Sequence, residues 1–428
     1  MSSSAQRRPG TADAVVLGMA AMLGTGVFAV WTPAAAAAGP WLLAAVVLAG
    51  VVAVCNAASI ADLTVAHPES TGGYGCGYDR LSVGVGRLAG VAFLTGTTAA
   101  AAAAAGVFGG YVLPAQPLVA ATMVIVAATV LNTAGVRSTA RGAYALVGGT
   151  LAVLLVVVLL GLFGSDGPPV ASVATPDAEP MPERGGVLGV LTAAGLVFFA
   201  FVGYARVAAP RRQVGDRNLR RAFALALGIT LVTYLLVAGG LLAGLGTERL
   251  ATEPTPLVAV VDAGQQTSAV GVLVRVGAAV ATGAALLSML VAMSRTAAAM
   301  AQRNELPACL AAIGSRGTPG RADLVGGVVA LVVAVLAGPT AAMALSACAL
   351  LVHSALIHLA ALRLPSAARR LPAWTAVLGL VLCVGLAVLL PPRQVVTTVV
   401  AVVIGWVVCT VLARRGSPTA RQSFGDAR

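Results

Sequence analysis

Residues 142–163 read GAYALVGGTLAVLLVVVLLGLF, a predominantly apolar stretch with no charged side chain. A run of about 20 such residues is long enough to cross the hydrocarbon core of a bilayer as an α-helix. In lipid, the backbone N–H and C=O groups have to be satisfied within the segment itself, so the segment is expected to be helical. Residues 142–163 therefore predict a membrane-spanning helix.

Similar stretches recur along the whole chain. Of its 428 residues, 59% are hydrophobic and only 10% are charged, whereas an ordinary soluble domain is about a quarter charged. This composition excludes a soluble fold and predicts an all-α polytopic membrane protein with about twelve transmembrane helices. The predicted helices are 13–31, 40–64, 84–112, 117–133, 142–163, 187–209, 220–246, 268–300, 322–338, 341–363, 373–390 and 394–413.

The arginines predict how the helices are oriented. All 27 basic residues are arginine, and they lie between the apolar stretches without interleaved aromatic residues, so the net charge of +12 indicates an anionic membrane surface and no nucleic acid. With the N-terminus in the cytoplasm, one side of the membrane takes all but four of them, the exceptions being Arg184, Arg249, Arg275 and Arg393. This bias predicts a multi-pass protein of the cytoplasmic (inner) membrane with both termini in the cytoplasm.

Predicted helix 1 contains Gly24-Thr25-Gly26-Val27-Phe28 near its middle. Two glycines let the chain leave the helix at little steric cost. A helix that restarts there offers free N–H groups and a positive dipole end to a carboxylate. Close packing of helices by small residues explains the same motif equally well, so the motif alone leaves both interpretations open.

Predicted helix 6 contains Phe198-Phe199-Ala200-Phe201-Val202-Gly203-Tyr204, five helices after the first motif. Interruptions at corresponding positions of two halves are the best sequence pointer to a transporter binding site. The alternative explanation for the aromatic residues is bulk that faces lipid. The pairing of the two motifs favours a binding site.

Four stretches together resemble the amino acid–polyamine–organocation (APC) permeases, and actinobacterial amino acid permeases in particular. Each is weak alone, but they occur in the family's order and spacing. The stretches are Gly24–Phe28, Ala61-Asp62-Leu63 with Pro68–Tyr74, Phe199–Arg206, and Ser294-Arg295 with Ala299–Ala301 and Glu305–Pro307. The resemblance implies a LeuT-type fold of two inverted five-helix repeats plus two C-terminal helices, working by alternating access.

The resemblance also implies a domain division and a function. It divides the chain into a cytoplasmic tail (1–12), a first repeat (13–163), an extracellular loop (164–186), a second repeat (187–363), two additional helices (364–413) and a second tail (414–428). The implied function is secondary transport of a small amino acid. Its substrate-binding residues would be Gly24, Thr25, Gly26, Val27, Phe199, Ala200, Phe201, Val202 and Gly203, with Phe199 covering the bound substrate.

The chain departs from the family after helix 6. Arg212 and Gln213 stand where the family usually has two glutamates, and the chain contains no lysine of the kind that some proton-coupled relatives use. Coupling through such a lysine is therefore excluded, and a proton or an exchanged amino acid is a possible partner, with sodium or no coupling at all also left open. The departure also keeps an alternative function open, a non-transporting sensor or partner subunit derived from a permease.

Few residues suggest other chemistry. Asp62 and Arg206, near cytoplasmic helix ends, are candidates for gating or coupling. His353 and His358 are about 140° apart around one helix, which argues against a shared metal site. No catalytic motif, metal site or cofactor is predicted, so the protein is not expected to be an enzyme. Because no Asp or Glu lies near the middle of a helix, the predicted substrate is neutral overall.

Overall fold

A computed structural model describes residues 10–66, 74–75, 80–136, 140–164, 185–208, 215–264, 268–314, 316–365, 368–369 and 371–416. These residues form helices, and no β-strand occurs among them. The predicted all-α class is confirmed. The α-helices are α1 (Thr11–Met22), α2 (Gly26–Ala29), α3 (Trp31–Ala38), α4 (Leu42–Ala66), α5 (Val83–Val112), α6 (Pro117–Thr133), α7 (Ala140–Phe163), α8 (Val187–Phe201), α9 (Asp216–Thr252), α10 (Pro256–Ala263), α11 (Ser268–Gln302), α12 (Gly320–Leu362), α13 (Ala373–Leu389) and α14 (Pro392–Gly416). Short 3-10 segments cover Gly39–Trp41, Tyr204–Ala208 and Ala308–Ala311.

Nine helical stretches within the described ranges are long and apolar enough to cross a membrane, and α6 and α13 are shorter apolar helices. The predicted helices 322–338 and 341–363 are the two arms of α12. They meet at Gly338, whose φ of 69° is not helical, and Pro339 follows it. Glycine adopts this backbone conformation without the penalty that a Cβ imposes. Counted as two arms, α12 brings the apolar segments to the predicted twelve.

The core of the bundle is packed with small side chains. Residues Ala99–Ala105 of α5 are all buried, and α5 lies against α11 and α12. Gly96 of α5 lies so close to Leu350 of α12 that a Cβ atom added to Gly96 would lie 2.5 Å from the Cγ atom of Leu350. Ser346 of α12 donates to the carbonyl of Gly96 at 2.8 Å. The alanine-rich face of α5 thus packs closely against α11 and α12.

Several predicted segments lie outside the described residues. They include the two chain ends before residue 10 and after residue 416, most of the loop 164–186, residues 67–73 with all but the last residue of the motif Pro68–Tyr74, and the altered stretch 209–214 with Arg212 and Gln213.

Candidate functional site

The first helix of the chain is interrupted close to its middle. α1 ends at Met22, Leu23–Thr25 leave the helical pattern, and α2 begins at Gly26. Phe28 is the first residue after the break whose N–H returns to a carbonyl of the chain, at 3.1 Å. Within the described ranges, no backbone carbonyl accepts the N–H groups of residues 24–27. These are the free donors with which a helix begins, and the sequence predicted the interruption at this place.

The sixth predicted helix is interrupted as well. α8 ends at Phe201, and after a turn the chain continues as the 3-10 segment Tyr204–Ala208. In the turn, the N–H of Val202 donates to the carbonyl of Phe199 (3.2 Å), and that of Gly203 donates to the carbonyl of Phe201 (2.9 Å). A carbonyl oxygen has two lone pairs, so both acceptors keep capacity for a second donor such as an ammonium group.

Glycines bring the two breaks into contact. A Cβ atom on Gly26 would lie 2.2 Å from the Cα atom of Ala200, and one on Gly203 would lie 2.5 Å from the carbonyl carbon of Ala21. Both positions therefore require glycine in this arrangement, because the neighbouring atoms belong to backbone that cannot move aside. Close packing accounts for these glycines by itself. The case for a ligand depends on the unpaired backbone groups instead.

Tyr234 of α9 joins the two breaks, and the sequence analysis did not single it out. Its hydroxyl oxygen lies 2.6 Å from the carbonyl oxygen of Met22 and 2.8 Å from that of Ala200. The buried ring packs edge-on against Trp31 and Phe201, with centroids 6.0 and 5.0 Å away. A tyrosine in an apolar span has to place its hydroxyl on a protein partner, because lipid offers none. That requirement is the signal that would have identified Tyr234 from the sequence.

The other predicted binding residues lie in the protein core. Gly24 faces α11, where an added Cβ atom would lie 2.6 Å from the Cβ atom of Ala285. Val27 and Phe199 are buried. Thr25 is 1% exposed, and its hydroxyl has no hydrogen-bond partner in the described part of the chain. A buried polar group left unpaired costs roughly 1–3 kcal/mol, so Thr25 stands to gain most from a ligand.

A cavity of about 130 Å³ lies beside the break in α8. Phe198 lines it from α8, Val202 and Gly203 line it from the turn, and Arg206 lines it from the 3-10 segment. Its walls are chiefly apolar. Phe199, the residue predicted to cover the substrate, is buried and does not line this cavity, whereas the neighbouring Phe198 does.

A second cavity of about 650 Å³ lies between α1, α7 and α11, and we call it the vestibule. Its volume is in the range of small-molecule binding sites. Arg206 lines both the vestibule and the smaller cavity, so the two spaces adjoin at this residue. The residues lining the vestibule include Leu17, Ala21, Leu146, Arg206, Ser288 and Arg295.

The two charged candidates from the sequence have different partners. Asp62 in α4 forms an ion pair with Arg220 in α9, with Oδ1 and Nη2 3.6 Å apart. Nη1 of Arg206 lies 3.4 Å from the carbonyl oxygen of Ser288 in α11. Asp62 thus connects two helices, whereas Arg206 faces the cavities. A gating or coupling role for either residue stays a prediction.

Glu305 organises a polar cluster outside the spans, which we call the Glu305 cluster. Its carboxylate is fully buried, accepts from the Tyr74 hydroxyl at 2.5 Å and forms an ion pair with Nε of Arg87 at 2.8 Å. Arg303 stacks over the Tyr74 ring, 5.4 Å from its centroid. Burial raises the pKa of Glu305 to about 7, while the hydrogen bond from Tyr74 acts in the opposite direction. The cluster ties together segments that carry two of the sequence motifs.

The two histidines of α12 bind different neighbours. His358 lies with Nδ1 2.8 Å from the Ser59 hydroxyl and Nε2 2.6 Å from the Asn56 side-chain oxygen. His353 places Nδ1 2.9 Å from the carbonyl oxygen of Ala89. These contacts agree with the packing and hydrogen-bonding roles that their spacing suggested. Within the described ranges, no three His, Cys, Asp or Glu residues are grouped so that they could hold a metal ion.

Comparison with known proteins gives a family for this architecture. The family model described as "Amino acid permease" matches residues 10–413, nearly the whole chain. The match covers both broken helices, both cavities and the Glu305 cluster.

Individual relatives agree with the family match. An uncharacterized transporter of Mycobacterium tuberculosis is 41% identical over 91% of this chain and 88% of its own length. The branched-chain amino acid permease of Bacillus subtilis is 25% identical over 72% of this chain and 70% of its own length. The vacuolar cationic amino acid transporter 4 of Arabidopsis thaliana is 27% identical over 71% of this chain and 54% of its own length. This chain therefore belongs to the amino acid permease family of the APC superfamily and is a multi-pass membrane transporter.

Proposed function

We propose that the protein is a secondary permease that carries a small neutral amino acid across the cytoplasmic membrane by alternating access. One observation carries the proposal. The break in α1 leaves the N–H groups of residues 24–27 without backbone acceptors in the described part of the chain, directly against the break in α8. Two facing breaks in membrane helices are the arrangement expected of a transporter binding site.

The carboxylate of the substrate binds the break in α1. The free N–H groups and the positive end of the restarted helix both favour an anion there. The Thr25 hydroxyl, buried and unpaired, adds a further donor. Charge-assisted hydrogen bonds contribute about 1.5–3 kcal/mol each, so several of them provide most of the affinity.

The amino group binds the break in α8. The carbonyls of Phe199 and Phe201 each accept one backbone hydrogen bond already and can accept a second, and the Ala200 carbonyl shares the single proton of the Tyr234 hydroxyl with the Met22 carbonyl. With the Val202 carbonyl they form the partly unwound acceptor side of the site. Val27 of α2 and Gly203 in the turn after α8 are the last residues of the two predicted binding segments.

The side chain of the substrate occupies the 130 Å³ cavity. This space is small and chiefly apolar, and no carboxylate is found among its lining residues in the described part of the chain. A cationic side chain would lose its hydration there without a counter-charge, which is costly inside a membrane. The apolar walls favour a branched-chain amino acid, as named for the Bacillus subtilis relative, over a cationic amino acid, as named for the Arabidopsis thaliana relative.

The chain is organised as two inverted five-helix repeats (13–163 and 187–363), with both tails (1–12 and 414–428) in the cytoplasm. The support is the placement of the two breaks, which lie five apolar segments apart, together with the distribution of arginines. Transport is coupled to a proton or to an exchanged amino acid.

Uptake into proteoliposomes tests the proposal. The panel contains labelled alanine, valine, leucine, arginine and putrescine, each with and without a pH gradient. We expect uptake of one or more neutral amino acids and none of putrescine. Transport of putrescine or arginine while neutral amino acids are ignored would contradict the substrate assignment, and no uptake of any compound would favour a non-transporting role.

Cysteine accessibility tests the orientation. Single cysteines placed in the loop 164–186, or in the segment 247–267 that contains α10, should react with a membrane-impermeant reagent from outside the cell. Labelling of either loop only from the cytoplasmic side would contradict the proposed topology.

A further inference from the structure

The vestibule has an excess of positive charge. Among its lining residues in the described part of the chain, the charged ones are Arg206 and Arg295, and the rest are apolar or neutral. The neutral polar groups, such as Ser288 and Asn132, do not compensate two guanidinium groups. The vestibule is therefore a concave space that attracts anions.

Two carboxylates lie near the vestibule. Asp13 accepts a hydrogen bond from the Tyr144 hydroxyl at 3.1 Å and another from the N–H of Gly10 at 2.7 Å. Asp323 accepts from the Asn132 side chain at 2.6 Å, and its charge partly balances that of Arg295, so Arg206 is the less compensated of the two arginines. Neither of these carboxylates lines the vestibule, and the ion pairs seen among the described residues do not include its two arginines.

The two arginines lie at successive depths along one path. Arg206 touches the carbonyl of Ser288 in α11 at 3.4 Å. Arg295 follows Ser288 by seven residues, which is two helical turns, so it projects from the same face roughly 10 Å farther along the axis. Because Arg206 also lines the smaller cavity, the path runs from the break in α8 past Arg206 to Arg295.

A guanidinium without a carboxylate partner is costly within a membrane, and this cost favours a functional reason for Arg206. The planar fork of guanidinium donors matches a carboxylate in two parallel hydrogen bonds. We propose that the vestibule is a carboxylate-binding site in which Arg206 and then Arg295 hold the carboxylate of the substrate between the broken helices and the cytoplasm. The identity of the cargo rests on the proposed function, whereas carboxylate binding at Arg206 does not.

This arrangement gives the two ends of the transport path different electrostatics. At the breaks, the carboxylate is held by neutral backbone N–H groups. In the vestibule, it is held by full positive charges, which also oppose the entry of a cationic amino acid from the same side. Loss of Arg295, which lines the vestibule and not the smaller cavity, should therefore weaken substrate binding from the vestibule side only.

Binding of a simple carboxylate tests the site directly. The probe is 3-methylbutanoate, which has a carboxylate and a short apolar chain but no amino group, and calorimetry on the purified protein in detergent measures its Kd. We expect Arg206→Gln to raise this Kd about tenfold or more and Arg206→Lys to have an intermediate effect. The matched control is Arg393→Gln, which changes an exposed arginine at the start of α14 and should leave the Kd unchanged.

Arg295→Gln is a second variant for the case that Arg206→Gln fails to fold. Because Arg295 is exposed, its replacement leaves no buried gap and should not prevent folding. We expect Arg295→Gln to raise the Kd of the probe by about threefold or more. No binding by the wild type, or an equal Kd in wild type and Arg295→Gln and in any folded Arg206→Gln, would overturn the proposal.

Transport from the two sides separates this proposal from the proposed function. In oriented proteoliposomes, Arg295→Gln changes the vestibule and not the smaller cavity, so it should raise KM for the transported amino acid on the vestibule side and leave KM on the other side unchanged. Equal KM changes on both sides would overturn the vestibule site while leaving the permease function standing. Arginine-dependent binding of the probe without transport of any amino acid would support the site and remove the function.

Discussion

The breaks in α1 and α8 face each other, but the first presents N–H donors and the second presents carbonyl acceptors, and the two sets differ in how many hydrogen bonds they already make. After the break in α1, the N–H groups of residues 24–27 have no backbone partner within the described ranges. At the break in α8, the carbonyls of Phe199 and Phe201 already accept backbone hydrogen bonds, and the Ala200 carbonyl shares the proton of the Tyr234 hydroxyl with the Met22 carbonyl. The donor side is thus left open for a ligand, whereas the acceptor side is stabilised by the protein. From this comparison we predict that the carboxylate of a substrate contributes more to binding than its amino group does.

The largest effect on stability is expected from a substitution that disrupts the contact between the two breaks. Gly26→Ala places a Cβ atom 2.2 Å from the Cα atom of Ala200, so we expect a loss of stability at or beyond the upper end of the range of about 1–3 kcal/mol for overpacking. Gly228→Ala is the control, because Gly228 lies in α9 with nothing within 4 Å of an added Cβ atom. Thermal unfolding in detergent measures both. Equal melting temperatures for the two variants would show that the breaks are not in contact.

The next effect concerns the link between the breaks. Tyr234→Phe removes the hydroxyl that contacts the carbonyls of Met22 and Ala200, and we expect it to lower the free energy of unfolding by about 1–3 kcal/mol. Thr233→Val is the control, because the Thr233 hydroxyl bonds only within its own helix, at 2.8 Å to the carbonyl of Ile229. If both variants unfold at the wild-type temperature, the hydroxyl does not hold the breaks together.

A third prediction separates ligand binding from stability at the break in α1. Thr25→Val replaces an unpaired buried hydroxyl with a methyl group of the same shape, so stability without ligand should stay the same or rise. Affinity for the transported amino acid should fall about tenfold, because one hydrogen bond to the carboxylate is lost. Thr25→Ser keeps the hydroxyl and should bind more tightly than Thr25→Val. A parallel fall of stability and affinity in Thr25→Val would indicate a purely structural hydroxyl.

The last prediction concerns the pH dependence of the Glu305 cluster, in which Glu305 forms an ion pair with Arg87. Burial raises the pKa of Glu305 from 4.5 to about 7. Its contribution to stability is therefore fully present below about pH 4.5 and is lost as the pH rises through about 7, with a slope of at most about 1.4 kcal/mol per pH unit. Glu305→Gln should flatten this part of the curve of melting temperature against pH. The exposed Glu248→Gln should leave it unchanged, and an unaltered curve in Glu305→Gln would contradict the assignment.

Much of the fold was predictable because its signals are local. Apolar length located the helices, and the glycines located the break in α1, since both depend on a few consecutive residues. The separation of 322–338 from 341–363 was predictable in the same way, because Gly338-Pro339 reads as a break in the sequence and Gly338 leaves the helical backbone conformation at that point.

The site was less predictable, because it depends on how the helices rotate and meet. Phe198 and Phe199 are adjacent, and only the packing of α8 decides that Phe198 faces the cavity. Tyr234 reaches the breaks from a helix with no motif, so no spacing rule connects it to Met22 or Ala200. Arg206 was noticed as a charge near a helix end, but its place between two cavities follows from contacts distant in sequence.

The central claim is that the break in α1 binds the carboxylate of the substrate. The most direct measurement compares three competitors against the amino acid that the uptake panel identifies: the free acid, its amide and its methyl ester. Because the amide and the ester lack the anion that the N–H groups of residues 24–27 accept, we predict that only the free acid competes. Equal competition by all three would contradict the claim and leave the glycines of this break as packing residues.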